Sequence, residues 1–179
     1  MDTDECFALL RSGIAGRLAV VDPDGWPYCV PLLYVLLDET VYVHMSSAVG
    51  HLRRSLEQSA NVCFEVDEPG AVFDYGSFEC DSGLAYRSAM VFGTLRVVEN
   101  ETTRHRFCDE LLGKYGTGVP GRPKGFYPRL DRITIYALDA QRLTGKQTVL
   151  PTESERWPAR DRTPTPNARP SSAVARLPS

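Results

Sequence analysis

What the sequence lacks narrows its chemistry first. No apolar run approaches the length of a membrane-spanning helix, so no membrane partner is expected. Positive charge is not in excess: 20 Lys and Arg stand against 23 Asp and Glu, for a net charge of −3. That balance argues against a dedicated nucleic-acid binder. Histidine is scarce (His44, His51 and His105), and no H-E-x-x-H, C-x-x-C or zinc-type spacing occurs, so no resident metal is expected. No P-loop is present, and chain order offers no Ser-His-acid triad. The G-x-G-x-x-G match Gly116–Gly121 follows a predicted helix rather than a strand, and Pro120 and Pro123 prevent a helix from opening after it. It reads as a turn-rich connection. Cys6, Cys29, Cys63, Cys80 and Cys108 are odd in number and scattered. Together with an acidic N-terminus unlike a signal peptide, they read as reduced thiols in a cytoplasmic protein. Cys29, Cys63 and Cys108 lie in apolar stretches and are expected to be buried.

What is present is organised around Thr40–Val66. Val41 and Val43 alternate with Tyr42 and His44 as in a strand, and Val62, Phe64 and Val66 repeat that period. Between them Val49, Leu52 and Leu56 fall at helical spacing. The joint Ser46-Ser47-Ala48-Val49-Gly50-His51, followed by Arg53 and Arg54, combines hydroxyls, free helix-start N–H groups and cations. Such a set suits an anionic phosphate. It suits equally well a serine-capped helix with an exposed basic face.

The rest of the chain is read in order. Asp2 and Glu5 match a capping box before a short helix with Phe7 and Leu10 inward, ending at Gly13. Gly16–Val21 and Tyr28–Leu37 form a hairpin across the turn Asp22-Pro23-Asp24-Gly25. Pro31 removes a ladder donor and marks an edge, a bulge or a place where something other than a strand lies alongside. Asp38-Glu39-Thr40 is a second turn. Residues 67–83, with Pro69, Gly70, Gly76 and Gly83, read as a long loop. Leu84–Val98 reads as a long strand, with Tyr86, Ser88, Met90 and Phe92 on one face and Arg87, Ala89, Val91 and Leu95 on the other. Gly93 predicts a bulge or a close backbone approach. Asn100 caps a helix whose inward stripe is Cys108, Leu111, Leu112 and Tyr115. Asp131–Leu143 is the last strand. Residues 148–179 are rich in Pro, Arg and Ser and are expected to stay largely unstructured or to dock on a partner, Trp157 being the one candidate anchor. With hairpins first and one tight strand–helix–strand, this is a mainly β protein: an antiparallel barrel with helices at its ends.

Several segments, in order, resemble one family. They are Cys29-Val30-Pro31-Leu32, Val43-His44 with the loop ending Gly50-His51, Asn61–Val66, Tyr86–Gly93 and Leu143-Thr144-Gly145-Lys146. They are similar to the pyridoxamine 5′-phosphate oxidase-like, FMN-binding split-barrel proteins, and look most like the nitroimidazole-reductase-like branch. The resemblance implies a domain over 1–147: a six-stranded antiparallel split barrel, homodimeric, with FMN at the interface. It implies an FMN-dependent oxidoreductase passing electrons from a reduced nicotinamide to a small acceptor, such as a nitroaromatic. The alternative is a flavin- or haem-binding protein without turnover. By the same resemblance, Ser46, Ser47, His51 and Arg53 hold the phosphate, and Val30, Pro31 and Leu32 run along the isoalloxazine. Arg87, Ser88 and Lys146 join the cofactor site, Lys146 from either chain. The family usually has Arg or Lys where His51 stands. His44 has two readings: a buried histidine satisfied within the fold, or a cleft residue that binds phosphate or donates a proton.

Overall fold

A computed structural model describes residues 1–74, 82–116 and 127–152. Helix α1 (Thr3–Ser12) opens on the expected capping box: the Asp2 carboxylate accepts from Glu5 N, and the Glu5 carboxylate accepts from Asp2 N. Cys6, Leu9 and Leu10 are buried along it, and Gly13 ends it. Strands β1 (Gly16–Val21) and β2 (Pro27–Leu32) form the first hairpin, with Gly25 at φ +86° in its turn. The predicted strand Tyr28–Leu37 is two strands, because Leu33 interrupts it: β2 ends at Leu32, and β3 (Tyr34–Leu37) pairs instead with β4 (Thr40–Ser46). Helix α2 (His51–Gln58) follows, then β5 (Asn61–Asp74) and β6 (Ser82–Val97). Helix α3 (Glu101–Tyr115) is capped by Asn100, whose side-chain oxygen accepts from Thr103 N. A short 3-10 turn (Leu130–Arg132) leads into β7 (Ile133–Thr148).

The strands form a seven-stranded sheet in the order β2-β1-β5-β6-β7-β4-β3. The expected count of six is corrected by the break at Leu33. That break also explains the architecture. β2 and β3 stand at opposite ends of the order, yet one residue joins them. The sheet must curl until its two edges meet, while no ladder closes the seam. This is a split barrel, and Pro31 lies on its edge strand, where a missing donor costs least.

The chain forms two compact units, Met1–Glu68 with Arg87–Gln147, and Pro69–Tyr86 with Thr148–Ser179. In the first, the curled sheet encloses Leu18, Val20, Tyr34, Val43, Phe64, Val66, Ala89 and Val91, and α1 contributes Leu9 and Leu10. A second cluster lies under α3 and holds Val35, Leu37, Phe107, Cys108, Ile135 and Ala137. The described residues of the second unit include Phe73 and Ala85, both buried.

Several expectations need correction. Much of 67–83 is strand: β5 continues to Asp74 and β6 starts at Ser82, and the residues between them lie outside the described ones. Cys29 is exposed rather than buried, because β2 turns Val30 and Leu32 inward and Cys29 and Pro31 outward. On α3 Phe107 is fully buried, while Leu112 is exposed. Arg87, expected on the face of Ala89 and Val91, is exposed and ion-paired with Glu68, while those two are buried. Helix α2 is capped by Gly50, not by a serine, and Val49 precedes it as an exposed loop residue. The Gly116–Gly121 segment beyond Gly116 and Trp157 fall outside the described residues.

Candidate functional site

The strand-to-helix joint of β4 and α2 is the chemically richest surface of the first unit. No side chain caps the first turn of α2, so its leading N–H groups have no side-chain acceptor. Gly50 at the cap faces open space: a Cβ added there would meet no protein atom within 4 Å. Ser46 and Ser47 are exposed beside it. The Ser46 hydroxyl accepts from Ala48 N at 3.2 Å, and Ser47 N donates to Arg132 O at 2.9 Å, tying the loop to the start of β7. Arg53 braces the loop from the helix side. Its guanidinium donates to Ser47 O at 2.9 Å and to Glu57 at 3.3 Å, closing residues 47–53 on themselves. Arg54 stands exposed one turn into the helix.

His51 joins this loop to the first hairpin. Its Nε2 lies 3.5 Å from Asp22 Oδ2, and its ring meets Tyr28 edge-on, with centroids 4.6 Å apart at 79°. The edge strand carrying Val30, Pro31 and Leu32 therefore begins next to the helix start carrying His51. Val30 and Leu32 pack toward the sheet interior, and Pro31 is exposed. Hydroxyls, unpaired amides, an imidazole and a guanidinium around an open glycine fit a phosphate monoester. The exposed backbone edge of β2 fits a flat heterocycle that needs both donors and acceptors.

The remaining expected residues sit apart from this joint. Ser88 is buried in β6, and Lys146 is exposed near the end of β7. The neighbouring Gly145 abuts Cys6 and Met1 of the α1 region. Among the described residues, no hydrogen bond or ion pair links Arg87, Ser88 or Lys146 to residues 46–53.

His44 points away from the sheet interior, as its alternation with Val41 and Val43 predicts. Its ring meets Phe107 of α3 edge-on, with centroids 5.6 Å apart at 62°. Burial pushes its pKa down, and its Nδ1 is buried without a partner. A second base with a buried nitrogen lies on α3. Lys114 Nζ sits 3.8 Å above the Tyr34 ring without a hydrogen bond, and burial pushes it down to about 8. Sequence reading missed this lysine and also Asp22, which looked like a plain turn residue. An Asp at the first position of a Pro-Asp-Gly turn carries no signal that its second oxygen faces a histidine on a later helix.

The family model for pyridoxamine 5′-phosphate oxidase matches residues 2–147. No curated protein sequence matches the chain significantly. Solved structures share the fold at low identity. A protein provisionally assigned to 5-nitroimidazole antibiotic resistance, from Bacteroides thetaiotaomicron, is 19% identical with a TM-score of 0.66, over 80% of this chain and 82% of its own. A flavocytochrome from Azotobacter vinelandii gives 18% identity and a TM-score of 0.70 over 98% and 87%. An FAD and haem binding protein from Mycobacterium smegmatis gives 20% and 0.69 over 99% and 92%.

Proposed function

The chain belongs to the pyridoxamine 5′-phosphate oxidase-like family, and from that premise we propose that it is a flavin-dependent oxidoreductase that binds FMN at the α2 start. The observation that carries this reading is the Tyr28–His51 contact, which sets an edge strand beside an uncapped helix start. One end would take the phosphate, and the other would take the ring. Ser46, Ser47, the leading amides of α2, His51 and Arg54 would meet the phosphate, with Arg53 holding the loop in shape. Backbone groups of Val30, Pro31 and Leu32 would meet the ring edge. Bound flavin would supply the electron transfer, which explains how the chain can do without a protein nucleophile. A reduced nicotinamide is the proposed donor and a small molecule such as a nitroaromatic the proposed acceptor.

The same reading makes the protein a cytoplasmic homodimer. Among the described residues no helix is long and apolar enough to cross a membrane. The outward face of the first hairpin exposes Val21, Trp26, Cys29 and Pro31, and a second copy would cover such a surface. Arg87, Ser88 and Lys146 would then reach a flavin only if the dimer brings them there.

Titration with FMN should quench flavin fluorescence and saturate near one flavin per chain. Stopped-flow mixing with NADH or NADPH should bleach the bound flavin, and a nitroimidazole should restore its absorbance. Absence of quenching overturns the flavin reading; quenching without reduction by either donor leaves a binding protein. A second reading, an FAD- and haem-binding protein, is favoured by one observation. The flavocytochrome and the FAD and haem binding protein align with 98% and 99% of this chain, whereas the nitroimidazole-resistance relative aligns with 80%. A Soret band on haem addition, together with tighter binding of FAD than of FMN, would select it.

A further inference from the structure

We propose that Asp22 is a positioning residue for the flavin phosphate, orienting the His51 imidazolium so that an Asp–His pair does the work of a single Arg or Lys. The inference rests on the reading of the α2 start as the phosphate site.

Asp22 is 9% exposed, and its two oxygens have separate tasks. Oδ1 accepts from Asp24 N at 2.9 Å and Trp26 N at 2.8 Å, which fixes the carboxylate plane. Oδ2 is thereby aimed at His51 Nε2, 3.5 Å away. Among the described residues His51 is the only basic side chain within ion-pair distance of this carboxylate. Tyr28 meets the imidazole edge-on from β2 and restrains its plane. The ring is thus held from the turn and from β2. The groups around it are Asp22 from the turn, the Tyr28 phenol from β2, and Arg54 one turn along its own helix.

This arrangement has a consequence that a lone Arg would not have. A neutral imidazole that gives its one N–H to Asp22 presents a lone pair at the other nitrogen, which repels a phosphate oxygen. Only the imidazolium donates at both nitrogens, one to the carboxylate and one to the phosphate. The carboxylate costs some attraction for the phosphate; what it provides is a fixed donor direction.

The test is a fluorescence titration with FMN, and with riboflavin, which lacks the phosphate. The proteins are wild type, Asp22→Asn, His51→Lys, His51→Gln and the Asp22→Asn/His51→Gln double variant. Asp22→Asn keeps an oxygen for the two turn amides, and a melting curve close to wild type confirms the hairpin is intact. Asp22→Asn should bind FMN about tenfold more weakly, the size of one lost charge-assisted bond, with riboflavin unchanged. Adding Asp22→Asn to His51→Gln should change nothing further, and His51→Lys should hold FMN about as tightly as wild type. If wild type binds FMN but Asp22→Asn binds it within twofold, or Asp22→Asn weakens FMN binding just as much in the His51→Gln background, the inference is overturned and the phosphate site stands. If wild type does not bind FMN, the site reading fails and the inference falls with it.

Discussion

Two apolar clusters flank the curled sheet of the first unit, one inside it and one under α3. Inside, Leu18, Phe64, Val66 and Ala89 are fully buried, and the Tyr34 hydroxyl donates to Leu10 O at 2.6 Å. Under α3 the Tyr115 hydroxyl donates to Tyr34 O at 2.7 Å, but not every buried polar atom is paired. Three buried side-chain atoms among the described residues lack a partner: His44 Nδ1, Arg104 Nε and Lys114 Nζ. Two belong to α3, and the third to a ring that meets Phe107 of α3. An unpaired buried polar atom costs about 1–3 kcal/mol. The interior is therefore where stability is made. The α3 layer is where some of it is given up, through buried polar atoms left without a partner.

Breaking the interior should have the largest effect. Phe64 packs edge-on against Tyr34 at 5.0 Å, and Gly16 leaves room for its ring. Phe64→Ala should cost about 3–5 kcal/mol in denaturant unfolding, a large share of the roughly 5–15 kcal/mol that holds a domain folded. A loss under about 1 kcal/mol would show that the interior can collapse around a cavity. That would remove one side of the comparison.

Relieving the α3 layer should act in the opposite direction. Burial pushes Lys114 down to about 8, against roughly 10.4 for a free lysine. Between those values the unfolded chain keeps a proton that the folded chain has lost, so stability rises with pH across that window. Below about pH 8 the folded chain carries the full penalty. Lys114→Met keeps the side-chain length and can lie on the Tyr34 ring. It should stabilise the protein at pH 7 by about 1 kcal/mol, less than the shift alone suggests, because the ring contact and partial solvent access offset the desolvation. The gain should shrink as pH rises above 8. A destabilised variant would mean that the ammonium–ring contact outweighs burial.

The sequence carries the interior far better than the α3 layer. Period-two alternation in β1, β4 and β5 puts Val20, Val43 and Phe64 inside without ambiguity, and the Asp2–Glu5 box and the Gly25 turn are local patterns with local causes. Gly93 was also legible, since a Cβ there would strike the Asp139 backbone. The same residue type misled at 67–83. Gly70 and Gly83 look like loop punctuation but lie within strands. A Cβ on Gly70 would come 2.9 Å from Ala85 O, and one on Gly83 would come 2.6 Å from the Phe73 ring. A strand that needs glycine for close approach and a loop that needs it for freedom look alike in one dimension. The site divides the same way. The Ser46–Arg54 joint is contiguous and could be read, whereas Asp22, Tyr28 and His51 meet only because the hairpin folds against α2.

The smallest expected effect sharpens the comparison most, because it asks whether His44 belongs to the α3 layer or to a reaction. Its ring lies against Phe107, and burial pushes its pKa down, so the folded protein holds it neutral below the ordinary value of 6.5. A neutral ring can turn its bare nitrogen to the apolar side and keep its N–H elsewhere, which is the cheaper way to bury an imidazole. Protonation then favours the unfolded chain. Stability should fall as pH drops below about 6.5, as a depressed histidine requires. His44→Gln removes the titration but keeps a polar group of similar length. Its unfolding free energy should therefore lose this part of the acid slope, while FMN affinity and flavin turnover stay within about twofold of wild type, or roughly 0.4 kcal/mol. Should turnover drop and its pH profile flatten with FMN affinity unchanged, His44 delivers a proton and the packing assignment is wrong. Should FMN affinity fall instead, and more at low pH, the ring reaches the phosphate. Either outcome would make the α3 layer part of the active site, and its unpaired groups would then be functional rather than merely tolerated.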